Sequence, residues 1–489
     1  MMNALSGAPA ATIADPTIAL ADFAARLRFA DIPPAVIAHA KEAVLDTLGV
    51  AFAGAGLGEG IEEIVRFAAT QGGAPEATIW STGQRVAAGA AALANATIAR
   101  ALDYDDILES PQVHVSVCVV PAAFAIAERQ PAPVDGKTFL TALVVGSELQ
   151  CRLAAAIRGQ GADAFPVLQP TQIFGYFSAA AACGHLLALT PEAMQSAFGL
   201  ALMQAAGTQE MVVHSPRSVG KSLYAAFSNQ GGLASAAMAQ CGVLAQGAVF
   251  GGKAGLFQAY YGGRYDPDSL TAGLGSSFLS TQRCIKAIPG TLVSHAFVEA
   301  AQQIMARDRL APSDIAEIRA HVGSWGQTMC EPLEMRRRPP SASAAMNNIP
   351  FMVAKAVANG TVALTDFDAD GRRQDEALRM AARFQYLPEP SLANPGGLEP
   401  GVLDIVTHDG RVHNARVDQP RGHPSRPLTF DEVAEKFRAN ARHAPAPLVA
   451  SVGDAIIDRV RHLEEIADVA ALVALIAPQR APLQPREPR

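Results

Sequence analysis

Apolar residues recur at spacings of three and four through the first half of the chain, a pattern that predicts a helical framework from residue 33 to about 279. The clearest stretch is 34–54, PAVIAHAKEAVLDTLGVAFAG. Here Val36, Ile37, Ala40, Val44, Leu45 and Leu48 share one face, with proline near the start and glycine at the end. Further helices are predicted over 89–102, 136–158, 175–189, 190–206 and 221–241. Alanine dominates them, and small side chains at contacts let helix axes approach closely.

Near residue 283 the pattern changes. Segments 315–322 (IAEIRAHV) and 402–417 (VLDIVTHDGRVHNARV) alternate apolar and polar positions. The second contains Asp409-Gly410, the signal of a two-residue hairpin turn; residue types alone leave helix open for the first. Segments 344–359 and 375–383 read as helix, and 429–439 and 447–475 return to helical periodicity. The order predicts a mainly α fold with an α+β insertion: a helical part over 1–282, the insertion over 283–425, the helical return over 426–475 and a disordered tail over 476–489. RRRPPSAS and QPRGHPSRP read as exposed loops.

Composition narrows the class. With 489 residues, two domains are expected. Hydrophobic residues make up 49% and charged ones 17%, so a large buried interface and a homo-oligomer are expected as well. A formal net charge of −7 argues against nucleic acid or an anionic membrane as partner, while leaving room for a local cationic pocket. The six cysteines are scattered without paired spacing and read as buried thiols in a reducing compartment. MMNALSGAPAATIADP lacks the basic start and apolar core of a signal peptide, and no later run of about 18 residues escapes polar interruption. A cytoplasmic protein is the expectation.

Chemistry concentrates in 101–116, ALDYDDILESPQVHVS, which packs Asp103, Asp105, Asp106 and His114 among apolar neighbours. With an ordinary pKa of about 6.5, histidine serves as base or acid near neutrality. Asp103 is the candidate to orient His114, although it also fits a helix terminus; Asp105 and Asp106 read as solvating the loop or capping the next element. Lys221 opens an alanine-rich helix, where the dipole disfavours a cation, and so suggests a function. Lys286 sits in an apolar context, CIKAIPGTLV, shortly before His295. Arg152 follows Glu148 at ion-pair spacing, and His214 and Arg217 fit either an anion site or a plain loop. Neither HExxH nor paired cysteines accompany the histidines, GGKAG lacks the context of a phosphate loop, and the cysteines do not cluster as an iron–sulfur centre requires. No metal and no cofactor are expected.

Several motifs occur in a fixed order: AVLDTLGVAFAG, ALDYDD with the His114 segment, GSELQCRLA, FGYFSAAAACGHLLALTPE, AFGLALMQAAGTQE, GKSLYAAFSNQGGLASAAMAQCG, IKAIPGTLVSHAFVEAA and RGHPSRPLTFDEVAEKF. Together they resemble the MmgE/PrpD family, whose members dehydrate, decarboxylate or epimerise small carboxylic acids. The resemblance implies a large helical domain built from both chain ends, a smaller α+β lid domain, a homodimer, and a metal-free site in the cleft between domains. It implies catalytic roles for Asp103, His114, Lys221 and Lys286 and a substrate-binding role for His295. This sequence departs from the family's pattern at three further positions of that site: Ile107 stands for threonine, Gln169 for histidine and Phe351 for tyrosine. The implied activity is a cofactor-independent lyase on a small di- or tricarboxylate, with dehydration of a 2-methylcitrate-like substrate first. His114 would be the acid/base, Asp103 its partner, and Lys221 and Lys286 the carboxylate clamps. Decarboxylation of a cis-aconitate-like substrate or epimerisation of a dicarboxylate is the alternative in the same pocket, and a non-catalytic carboxylate-binding or interaction dimer the alternative of another class.

Overall fold

Small side chains set how closely the first helices pack. In the computed structural model, which describes residues 15–159, 167–214, 219–394 and 396–477, helix Pro170–Leu186 lies against Gly220–Gln240. Around this pair stand Ala88–Arg100, Ser116–Arg129, Gly136–Ile157 and Pro191–Gln204. At Gly232 a Cβ would fall 2.5 Å from the Tyr176 carbonyl oxygen and 2.6 Å from the Ala179 Cβ, so glycine alone permits this approach.

Helix Gly136–Ile157 is long and apolar enough to cross a membrane, despite the polar residues that interrupt it, but 94% of its apolar window is buried inside the protein. Two of its three charges, Glu148 and Arg152, are paired internally, as their spacing suggests. Arg152 Nε donates to Glu148 Oε1 at 2.7 Å, and both side chains are fully enclosed. Glu148 also accepts the backbone N–H groups of Leu279 and Ser280, while Arg152 donates to the carbonyls of Leu270, Ala272 and Ser277. The pair thereby fastens the segment that leads out of the helical framework.

A second core gathers around a four-stranded sheet in the order Phe384–Pro388, Ile315–Val322, Gly401–Thr407, Val412–Val417. Ile315–Val322 is a strand, parallel to Phe384–Pro388 and antiparallel to Gly401–Thr407. In Gly401–Thr407 alternate residues are buried, with Leu403 and Ile405 in the second core and the strand packed on helix Leu292–Arg307. The hairpin after it differs from the two-residue turn expected. Thr407 N–H donates to Arg411 O at 3.0 Å, closing a three-residue loop whose last member, Gly410, takes the left-handed conformation at φ +85°.

The 344–359 helix is broken. Ala342–Met346 ends before Asn347, and the Asn348 side chain accepts the N–H of Phe351 at 2.8 Å to start Ile349–Asn359. The segment 447–475 likewise divides into Ala450–Arg461 and Ala470–Ile476. RRRPPSAS is not simply an exposed loop, because Arg336 donates to the carbonyls of Thr328, Glu331 and Asn347. Of the expected tail, Ile476 closes the last helix and 478–489 lies outside the described residues.

The returning helix Phe430–Ala441 packs on Pro34–Leu57, with the Phe437 ring edge-on to Phe52 at 5.7 Å. Val433, Phe437, Ile456 and Leu472 join the first core, so both chain ends build it. Because the helix contact at Gly232 leaves no room for a Cβ, Gly232→Ala is expected to lower stability by about 1–3 kcal/mol through overpacking. A fall in denaturant midpoint at unchanged m-value is the expected result, and an unchanged midpoint would show that the helices have slack there.

Candidate active site

The Ala88–Arg100 helix ends in a turn that brings three carboxylates into the protein. Asp103 has φ +50°, a left-handed conformation that costs a non-glycine residue on the order of 1 kcal/mol. Neighbours hold it there: Lys286 Nζ donates to its carbonyl oxygen at 2.7 Å and to Oδ1 at 2.8 Å, and Gly290 N–H donates to the same carbonyl at 3.2 Å. The next residues form strand Ile107–Glu109, which pairs with Gln112–Val113 and, through Ile107 and Leu108, with Arg283–Cys284. This small sheet sets Lys286 beside the acidic turn although 183 residues separate it from Asp103. The hairpin then returns the chain to His114, just before helix Ser116–Arg129.

His114 is buried, and its surroundings fix its tautomer. Nδ1 points at the carbonyl oxygen of Asp106 at 3.1 Å and has Asp105 Oδ2 beside it at 2.8 Å, off the N–H direction. Both are acceptors, so Nδ1 carries the proton. Nε2 lies 3.1 Å from Arg100 Nη2, which can only donate, so Nε2 presents its lone pair. Burial, then the Arg100 charge, lowers the His114 pKa, against the opposing pull of Asp105. The imidazole is thus a neutral base at neutral pH.

Asp103 is not the partner of His114 that the sequence suggests, because its Oδ1 stands 4.0 Å from Nε2 and serves the cations instead. Lys221 Nζ donates to its Oδ2 at 2.6 Å, Lys286 holds Oδ1, and Arg100 Nη1 lies 3.1 Å from Oδ1. Burial would raise the Asp103 pKa, but Lys221, Lys286 and Arg100 outweigh it and hold the carboxyl well below its ordinary range. Asp105 is the carboxylate beside the histidine. It is 1% exposed, so it does not solvate the loop, and it accepts from Arg100 Nη1 at 3.0 Å. Asp106 caps the following helix, accepting Ser116 N–H at 2.9 Å and Ser116 Oγ–H at 2.6 Å, and pairs with Arg283 at 2.7 Å.

Arg100 is the residue the pattern hides. As the last residue of an alanine-rich helix it reads as an ordinary complement to the helix dipole. In the structure it is buried, donates from Nε to Tyr224 Oη at 2.6 Å, and touches Asp103, Asp105 and His114. Lys221 bridges the two cores, since its Nζ also donates to Asn347 Oδ1 at 2.5 Å. Its side chain keeps 24% of its surface exposed, and burial lowers its pKa to about 8 against the raising effect of Asp103.

The remaining expected site residues stand apart from these groups. His295 is buried behind Lys286, its ring nitrogens without a well-aligned hydrogen bond and the Gly290 backbone offering only a poorly aligned contact; burial, then Lys286, pushes its pKa down to about 3. Gln169 caps Pro170–Leu186, its Oε1 accepting Thr171 N–H at 3.2 Å. Thr171 in turn receives His114 N–H at 3.1 Å, so Gln169 supports the histidine's backbone from one residue further out. Ile107 is enclosed with Cys284, Leu292 and Leu398 in a small apolar cluster, where a methyl-rich side chain has no polar work to do. Phe351 lies in the second core, its ring 6.4 Å from that of Phe367 and 5.6 Å from Lys355 Nζ. The side chain of His214 and all of Arg217 lie outside the described residues.

Arg100, Asp103, Lys221, Ser222, Met346 and Asn347 are among the residues that line a cleft of about 50 Å3 between the cores, with Glu59 at its exposed rim. A larger cavity of about 290 Å3, bordered by Phe52, Trp80, Leu448 and Ile476, has no titratable group in its wall and no part in this chemistry. Ligand-type atoms of Asp103, Asp105 and His114 approach within 4.8 Å of one another, a grouping their sequence separation does not announce. Arg100, Lys221 and Lys286 already neutralise those carboxylates. With His114 neutral, three cations face two carboxylates, and the surplus positive charge suits an anion better than a metal ion.

A neutral base beside a cage of cations, in a cleft between two cores, is an arrangement suited to acid–base chemistry. The comparisons specify the family: the MmgE/PrpD N-terminal domain matches residues 18–268 and the C-terminal domain matches 289–458. This chain belongs to the MmgE/PrpD family. It is 28% identical to a cis-aconitate decarboxylase-like protein, oryM, of Aspergillus oryzae, covering 94% of this chain and 97% of that one. It is 26% identical to a cis-aconitate decarboxylase of Aspergillus terreus, over 96% of this chain and 97% of the relative, and 26% identical to the human cis-aconitate decarboxylase, over 92% of each.

Because Asp105 accepts from Arg100 and sets its charge beside the His114 ring, Asp105→Asn is expected to lower kcat by about 10²- to 10⁴-fold, the range typical of acid–base groups. Circular dichroism should show the fold retained. A folded variant with parental kcat would remove Asp105 from the acid–base unit.

Proposed function

We propose that this protein is a cofactor-independent lyase for a small di- or tricarboxylate, working through a carbanion-like intermediate next to a carboxylate. The observation that carries the reading is the pairing of His114, a neutral base, with Lys221, an ammonium whose pKa of about 8 lets it yield a proton near neutrality. Environments that push two pKa values in ways suited to opposite roles assign acid and base. Dehydration uses both groups. A substrate carboxylate arriving at Arg100 competes with His114 for its N–H, freeing Nε2. His114 then takes the proton from the carbon next to the carboxylate, the C–H electrons form the new double bond, and the hydroxyl leaves with its bonding pair and a proton from Lys221. Lys286 and Arg100 stabilise the charge that develops on the carboxylate.

Decarboxylation is the second reading, favoured by the relatives named cis-aconitate decarboxylases. Carbon dioxide would depart leaving its electron pair on carbon, and Lys221 would protonate that carbon. Either reaction requires opening, since about 50 Å3 is too small for a six-carbon tricarboxylate. We assign the opening to the second core, moving as a lid as the Lys221–Asn347 contact parts.

Incubation with citrate-like, aconitate-like, tartrate-like and amino-dicarboxylate compounds in deuterated water tests the reading. Release of water or carbon dioxide identifies the reaction, proton exchange without loss of atoms indicates epimerisation, and no change with any compound contradicts the enzyme. The pH profile has a fixed sign. Activity needs His114 neutral and is lost on the acid side of its lowered pKa, and it needs Lys221 protonated and is lost as pH rises through about 8. Lys221→Ala should remove the alkaline limb and weaken substrate affinity by about 10- to 150-fold. An alkaline limb that persists in that variant would assign the acid elsewhere.

A further inference from the structure

Two buried charges, Asp46 and Lys436, take no part in this scheme. Asp46 lies in Pro34–Leu57 and Lys436 in the returning helix Phe430–Ala441; they meet at 2.6 Å with side chains 1% and 5% exposed. Neither Asp46 oxygen has a well-aligned hydrogen bond, so the lysine is the contact that answers its charge. Lys436 uses its other donors on backbone. Its Nζ donates to the carbonyl oxygen of Tyr104 at 2.9 Å and to that of Lys286 at 2.8 Å, and it sits 3.7 Å from the centre of the Tyr104 ring. Tyr104 separates Asp103 from Asp105, and Lys286 is the cage lysine. One ammonium from the C-terminal part of the chain therefore ties together the two backbone segments that carry the cage.

The pair is costly where it stands. Burial raises the Asp46 pKa to about 6 against the pull of Lys436, and burial lowers that of Lys436 against the pull of Asp46. A buried ion pair that served packing alone is commonly replaceable by apolar side chains of similar volume without loss of stability. What apolar side chains cannot supply is the pair of N–H donors to Tyr104 and Lys286, beside a turn already strained at Asp103.

We propose that Lys436, partnered by Asp46, is a positioning residue of the active site: it fixes the Tyr104 and Lys286 carbonyls and so sets the spacing of Asp103, Asp105 and Lys286. This rests on the acid–base reading given above, and its test has one arm that does not need turnover.

The test compares the parent, Lys436→Met, and the double variant Asp46→Leu with Lys436→Met. Three readouts are followed: thermal midpoint, kcat and KM on whichever substrate the panel reveals, and the downfield proton resonance of His114 Nδ1–H. The single variant should lose both stability and activity. The double variant should regain the midpoint while kcat stays about 10- to 100-fold down, KM stays within about threefold of the parent, and the His114 resonance remains displaced. Recovery of midpoint and kcat together would make the pair structural and overturn the proposal. If the parent turns over nothing, the lyase reading fails and the resonance decides alone: displaced in the double variant, positioning stands; unchanged, it falls. If the double variant does not fold, Asp46→Asn with Lys436→Gln keeps an amide donor at the same place. It should hold kcat and the resonance closer to the parent than Lys436→Met does, and equality with Lys436→Met would overturn the inference.

Discussion

A carboxylate buried as deeply as that of Asp103 stays ionised only if cations surround it, and three do. Much of the architecture supplies them. Arg100 comes from the end of one helix, Lys221 from the start of another, and Lys286 from the residues just after strand Arg283–Cys284. Because Lys221 also reaches Asn347, the same charge cluster joins the second core to the first. An anion that enters must share or displace what Asp103 now holds. The cleft is thus lined by cations that are already engaged.

Around this cage the tautomer of His114 follows by elimination. Arginine cannot accept a hydrogen bond and a backbone carbonyl cannot donate one, so contacts to Arg100 and to the Asp106 carbonyl leave one arrangement of protons. The supports reach further out: Thr171 and Gln150 hold the backbone of His114, and Asp106 with Arg283 anchors the start of the next helix. Gln169, Ile107 and Phe351 fall in this supporting shell or in apolar cores.

The helices were legible in the sequence because their signal is local: period, a proline at the start, glycine after the end. Pro34–Leu57 and Gly136–Ile157 match their predicted starts and end within a few residues of the predicted ends. Local signals fail where a side chain overrides them, as when Asn348 caps a new helix inside 344–359 or Gly410 takes the third place of a longer loop. The site was legible as residue types and not as partners. Asp103 and Asp105 are indistinguishable in a string of letters; long-range pairing of Ile107 with Cys284 brings the lysine to one of them, and the His114 ring stands beside the other. Arg100 escaped because a cation ending a helix needs no special explanation.

His114 rests as a neutral base with its proton on Nδ1 and its lone pair at Nε2. Nitrogen-15 NMR of the selectively labelled imidazole at neutral pH measures this directly. The structure predicts one protonated nitrogen, Nδ1, coupled to a slowly exchanging proton, and one unprotonated nitrogen, Nε2, whose signal persists to pH below the ordinary histidine value. Two protonated nitrogens at neutral pH, or the proton on Nε2, would contradict it.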